Sequence, residues 1–207
     1  MALATYADLQ LSIASWLNRE DLGTQITDFI SLAEARFNRE LRVNAMLQRD
    51  TATATDDYIS LPLDWLQVSS IMVTSPANTY SAMTYISGDE YYNLRNDGMT
   101  GTPRYYTIID NKILLLPAPG SEISLEIIYY GQIPALSPDN TTNWLLTRSP
   151  DLYLYGSLLQ AEAYLVNDER IPLWAGAVDK VIADMNLESE RARRPQGALV
   201  TRKRTFG

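Results

Sequence analysis

The 207-residue chain contains no histidine and no cysteine. Chemistry that needs an imidazole near neutral pH, a thiolate nucleophile or a thiolate metal site is therefore closed to it. Carboxylate chemistry, lysine chemistry and oxygen-ligated Mg²⁺ or Ca²⁺ remain. Three adjacent acid pairs could supply carboxylates: Asp56/Asp57, Asp89/Glu90 and Asp168/Glu169. Acid–base work on a glycosidic bond needs two carboxylates flanking that bond, whereas sequence neighbours on a strand point to opposite faces. Each pair also sits where a turn or a helix start favours acids. None is assigned a catalytic role. Asp110-Asn111 begins like a calcium loop, but the following ligand positions hold Lys112 and Leu114. Asn140-Thr141-Thr142 matches the glycosylation pattern, yet the N-terminus shows no secretion signal, and a plain loop is expected. No glycine-rich phosphate cradle follows a strand. The expectation is a non-catalytic protein with no cofactor and no metal.

The thirteen tyrosines and four tryptophans include the pairs Tyr91-Tyr92, Tyr105-Tyr106 and Tyr129-Tyr130. Stacking platforms for single-stranded nucleic acid would interleave them with cations, but bases are sparse there, Arg104 and Lys112 being the nearest to the middle pair. Sheet packing is the expected role, with subunit contacts as the alternative.

Charge is divided sharply. Residues 191–207 hold six bases and no acid, +6, while the other 190 residues hold eleven bases and twenty-five acids, −14. An acidic body repels nucleic acid, and a basic tail attracts any acidic surface. No apolar run approaches the ~18 residues of a membrane helix, so a soluble protein made in a cytoplasm is expected.

These residues are positioned by three kinds of segment. Thr5 can cap a first helix, with Asp8 three residues on as a weak version of the capping box, and Leu9, Ile13, Trp16 and Leu17 form its stripe. A second helix spans about 24–42, with Ile26, Phe29, Ile30, Ala33, Phe37 and Leu41 buried and Asp28, Glu34, Arg36, Arg39 and Glu40 solvated. From about Gln48 the composition turns β-like. Strands are expected at 51–55, 58–61, 68–74, 80–86 and 123–130, a hairpin at 105–116 turning on Asp110-Asn111, a short helical turn at Pro62–Leu66, and another at Gly88–Leu94. After a Pro/Asn/Thr-rich loop, Ser149 and Pro150 start a helix with Leu152, Tyr155, Leu158, Leu159 and Leu165 on its apolar side. Pro172 opens the last helix, whose stripe (Trp174, Ala177, Val178, Val181, Ile182, Met185) stops after Leu187. The fold class is α+β: an antiparallel helical bundle built from residues 1–47 and 149–190, an inserted small antiparallel sheet or sandwich at 48–133, a loop at 134–148, and an extended basic arm at 191–207.

The arm is the sharpest candidate site. Arg191, Arg193, Arg194, Arg202, Lys203 and Arg204 supply charge, and Leu199, Val200 and Phe206 supply apolar anchors between them. A solvated tail, nonspecific DNA binding and docking on a partner protein all fit such a segment. The interspersed anchors favour docking.

Two stretches carry a family resemblance. They are Tyr6-Ala7-Asp8-Leu9-Gln10 through Trp16-Leu17-Asn18-Arg19 with Ile30 to Arg42, and Ser149-Pro150-Asp151-Leu152-Tyr153-Leu154-Tyr155-Gly156 through Asp168-Glu169-Arg170 to Glu190-Arg191-Ala192-Arg193. Together they resemble the head-to-tail adaptor proteins of tailed bacteriophages, over both helical segments and about half the chain. The resemblance implies a structural virion protein that forms a ring, typically of twelve copies, beneath the portal. The arm would dock on the portal protein, and the ring would extend the DNA channel and offer a tail or nozzle protein its attachment surface. Genomic DNA would pass without sequence-specific binding, and no membrane is involved. The protein would reside in the host cytoplasm before assembly and in the virion afterwards. Two other classes stay open: a tail-associated peptidoglycan hydrolase using paired carboxylates, and a small DNA-binding protein acting through the arm.

Overall fold

The computed structural model describes residues 3–19, 21–74, 81–95, 99–161, 164 and 171–194. In chain order the elements are α1 (Tyr6–Leu17), α2 (Gly23–Glu40), β1 (Leu47–Ala54), β2 (Tyr58–Ser60), β3 (Trp65–Val73), β4 (Ser81–Ala82), β5 (Thr84–Tyr85), α3 (Gly88–Leu94), β6 (Tyr105–Ile109), β7 (Lys112–Leu116), β8 (Ile123–Gly131), α4 (Trp144–Arg148), α5 (Pro150–Ala161) and α6 (Ile171–Arg193). The fold is α+β, and the chain divides into a helical unit, up to Asn44 and from Ala135, and a β unit from Ala45 to Pro134.

In the helical unit, Thr5 Oγ1 accepts from the Asp8 amide and the Asp8 carboxylate accepts from the Thr5 amide, so both ends of the capping box are made. The helix stops where Asn18 turns left-handed, at φ 52°. Leu9 and Ile13 are fully buried, while Trp16 lies 44% exposed and meets Tyr155 edge-on at 5.9 Å. On α2, Ile26, Phe29, Ile30, Ala33 and Phe37 are buried as their spacing predicts. Arg36 joins Glu40 on its own helix at 2.9 Å and Asp179 on α6 at 2.6 Å.

The α5 helix packs on α1, α2, α4 and α6. A helix covered on so many sides has no single apolar stripe, and its buried set is Leu152, Tyr153, Leu154, Gly156, Ser157, Leu158 and Ala161. Tyr153 therefore replaces Tyr155 as the buried tyrosine. Leu165 lies outside the described residues. The expected 134–148 loop contains a short helix, α4, whose N-cap Asn143 accepts from the Leu146 amide at 2.8 Å. That helix is one turn long, too short for periodicity to register.

The β unit forms two four-stranded sheets, ordered β1-β8-β3-β4 and β2-β7-β6-β5. Ala54, Ile71, Val73, Leu125 and Ile127 of the first and Ile59, Tyr106, Ile113 and Leu115 of the second share one apolar core, as in a sandwich. The β6–β7 hairpin turns on Asp110 and Asn111, both left-handed at φ 52° and 55°. Such a two-residue turn matches the strand twist, and Asp and Asn tolerate it best after glycine.

Three expectations are corrected here. Trp65 and Leu66 open β3 rather than lying in a helical turn. The expected 80–86 strand is two dipeptide strands in different sheets, split at buried Met83, with Tyr80 outside the described residues. The second sheet is not wholly antiparallel, since β5 pairs with β6 in parallel.

Candidate functional site

Asp57 closes the turn before β2 and pairs with Arg95 at 3.1 Å. Asp89 and Glu90 occupy the first turn of α3, where Ser87 Oγ caps the Glu90 amide at 3.2 Å. Acids at that position favour the helix dipole. Asp168/Glu169 lies outside the described residues. Among the described residues no group of three or more acids is arranged to hold a metal ion. Asn140 is tied into its loop by bonds to Ser137 and Ala135.

The helical unit does contain one buried ionisable group that the pattern on α2 misplaces. Glu34, expected on the solvated face, is 6% exposed. Its Oε1 accepts the Leu136 amide at 2.8 Å and the Tyr153 hydroxyl at 3.0 Å, while Asn143 Nδ2 donates to that hydroxyl oxygen at 2.7 Å. Burial pushes the Glu34 carboxyl up from the usual carboxylate range, against the two hydrogen bonds that pull it down. Burial, with the Glu34 charge beside it, also pushes Tyr153 up. The carboxylate pins the segment at Leu136 to α2 and α5. It is a structural anchor. The sequence signal for it was faint: Glu34 directly follows buried Ala33 at the edge of the apolar stripe.

The basic arm begins inside folded structure. The α6 helix runs to Arg193, beyond Leu187 where the apolar stripe was expected to end folded structure. The buried position one turn past Met185 is Ser189, whose Oγ accepts from the Asn44 amide at 2.9 Å and donates to Asn44 Oδ1 at 3.1 Å. A buried serine continues the packing while looking polar in sequence. Arg193 Nε then donates to Asn44 Oδ1 at 2.7 Å, and its other nitrogen reaches the Arg42 carbonyl at 3.3 Å. Arg194 pairs with Glu190 one turn back. Cations at a helix C-terminus also meet the negative end of its dipole. Leu199, Val200, Arg202, Lys203, Arg204 and Phe206 lie outside the described residues; Arg191, Arg193 and Arg194 stand at the end of α6.

A family model described as SU10 adaptor protein matches residues 4–202 of the chain. The chain belongs to this family. No curated protein matches it significantly. The match spans the β unit as well as the two helical stretches that carry the resemblance. Membership makes the chain a structural adaptor protein of a bacteriophage, placed in the virion, and implies association with portal and tail proteins. No helix among the described residues is long and apolar enough to cross a membrane.

An adaptor works through its surfaces, and the β unit of this one exposes several large apolar side chains. Tyr85, Tyr92, Leu94, Met99 and Tyr105 are each at least 38% exposed. A cavity of about 490 Å³ opens between Leu94, Met99, Tyr105, Leu116 and Pro117, with Arg104 in its wall. Leu94, Met99 and Tyr105 meet at this opening, and contiguous exposed apolar side chains mark interaction surfaces.

Proposed function

We propose that this adaptor forms a ring beneath the portal, docks on it through residues 191–207, extends the DNA channel and gives the tail or nozzle its attachment surface. The protein acts by position and not as an enzyme. The observation that carries the reading is the charge division: +6 on residues 191–207 against −14 on the remainder. An acidic ring wall repels phosphate, so that DNA slides through the channel without sticking. The basic arm is then the one part suited to grip an acidic surface. The root of the arm is rigid, because Arg193 is fixed to Asn44, and a rigid root limits the entropy lost when the rest is ordered on a partner.

The test is removal of residues 195–207, which spares the Arg193 contacts and every described helix. The truncated protein is expected to keep its circular dichroism and melting profile and to lose binding to purified portal, with no rings on portals by electron microscopy. Normal assembly of the truncated protein on portals would overturn the docking role.

A further inference from the structure

At the end of the helical unit a cleft of about 200 Å³ lies between the chain after α2 and the last turns of α6. Val43, Met185 and Ala192 give it an apolar floor and edge, Asn44 and Ser189 a polar side, and Arg148 with Glu188 its rim. On a body carrying −14, this end collects cations. Arg193 flanks the cleft through its bond to Asn44. Arg148 reaches over it to Glu188 at 2.8 Å. The side chain of Arg191, one residue before Ala192, is exposed and makes no ion pair or hydrogen bond with any described residue. The Arg148–Glu188 pair is 49% and 67% exposed. Solvent-exposed pairs of that kind contribute little to stability, so an incoming carboxylate can take the place of Glu188.

We propose that this cleft docks an acidic segment of a protein partner, seating a carboxylate on Arg148 in place of Glu188 and a small apolar side chain on Val43, Met185 and Ala192. The inference rests on the reading that this end of the chain faces the portal, and it adds a preformed socket to the arm beyond it. Charge complementarity selects the occupant. Arg148 at the rim of an apolar floor, with Arg193 held beside it on Asn44, suits a side-chain carboxylate next to a hydrocarbon, in the manner of a peptide hot spot. A DNA backbone fits poorly, since it needs a continuous basic track, and here Glu188 and Glu190 interrupt the arginines. The cleft is also the size of a side chain, not of a duplex.

The experiment uses the full-length protein with purified portal from the same particle as one probe and a 20-base-pair DNA duplex as the other. Two cleft variants, Arg148→Glu and Ala192→Trp, change exposed positions, and their folding is checked by melting. A third variant reverses charge at Arg202, Lys203 and Arg204. The proposal expects each cleft variant to weaken portal binding at least tenfold while weak DNA binding changes little. If only the tail variant weakens portal binding, the socket is overturned and the arm reading stands. If no variant weakens it, both fall. If the cleft variants reduce DNA and portal binding alike, the site is a general anion surface and the proposal is overturned.

Discussion

Replacing Glu34 tests the buried charge of α2 that accepts from Leu136 and Tyr153. In Glu34→Ala, the Leu136 amide at 2.8 Å and the Tyr153 hydroxyl at 3.0 Å both lose their acceptor in a site only 6% exposed. Hydrogen bonds to a charged group contribute about 1.5–3 kcal/mol each, and a buried donor left unpaired costs about as much. Relief of the carboxylate's own desolvation offsets part of this, leaving an expected loss of about 3–4 kcal/mol. Glu34→Gln keeps an acceptor at Oε1 and is expected to lose about 1 kcal/mol or less. The sign with pH follows from burial. The folded carboxyl is raised above its ordinary 4.5, so between the two values the folded state holds more protons than the unfolded one. Its contribution to stability is fully present below about 4.5 and is lost as pH rises through the folded value. Urea unfolding followed by circular dichroism at 222 nm, at pH 4 to 7, reads all three effects. The Gln variant is expected to flatten this part of the profile. The reasoning is refuted if Glu34→Ala unfolds within 1 kcal/mol of the parent, or if the Gln variant loses as much as the Ala variant.

Four further outcomes are expected. A methyl group at Gly156 would stand 2.6 Å from Cζ of fully buried Phe37, so Gly156→Ala is expected to destabilise by about 1–2 kcal/mol, overpacking outweighing the better helix propensity; a higher melting temperature would contradict this. The Tyr129 hydroxyl donates toward Gln48 and Asp64 at 3.1 Å each and is pushed up to about 12, chiefly by burial. Stability should therefore fall as pH rises from 10 towards 12, and Tyr129→Phe should remove that part of the fall in alkaline denaturation curves. At the hairpin turn, where Asn111 has φ 55°, Asn111→Gly should leave stability unchanged or slightly raised, and Asn111→Val should cost about 1–3 kcal/mol by denaturant titration. Portal binding measured by interferometry should weaken as salt rises from 50 to 500 mM, because exposed charges are screened; a flat response would assign the docking to Leu199, Val200 and Phe206.

How much of this was legible in the sequence depended on whether the deciding interaction was local. The Thr5–Asp8 capping box, the Pro150 helix start and the Asp110-Asn111 turn all act within a few residues, so their chemistry is written in order along the chain. The α2 stripe was legible for a related reason: its apolar face packs on one side. The α+β class followed from the change of texture near Gln48, and the charge division was plain from counting. Tertiary structure decided the rest. Tyr153 is buried and Tyr155 less so because α5 has neighbours on several sides, which no single periodicity can represent. Glu34 became an anchor only when Leu136 and Tyr153, 102 and 119 residues away, were brought to it. Ser189 carries the packing of α6 past its last apolar residue because Asn44 supplies its partners across 145 residues. A side chain's burial is set by what covers it, and what covers it is fixed only when distant segments meet. The sequence alone thus placed the basic arm and marked its charge, while the fold decided that its first arginines stand on a helix end beside a cleft.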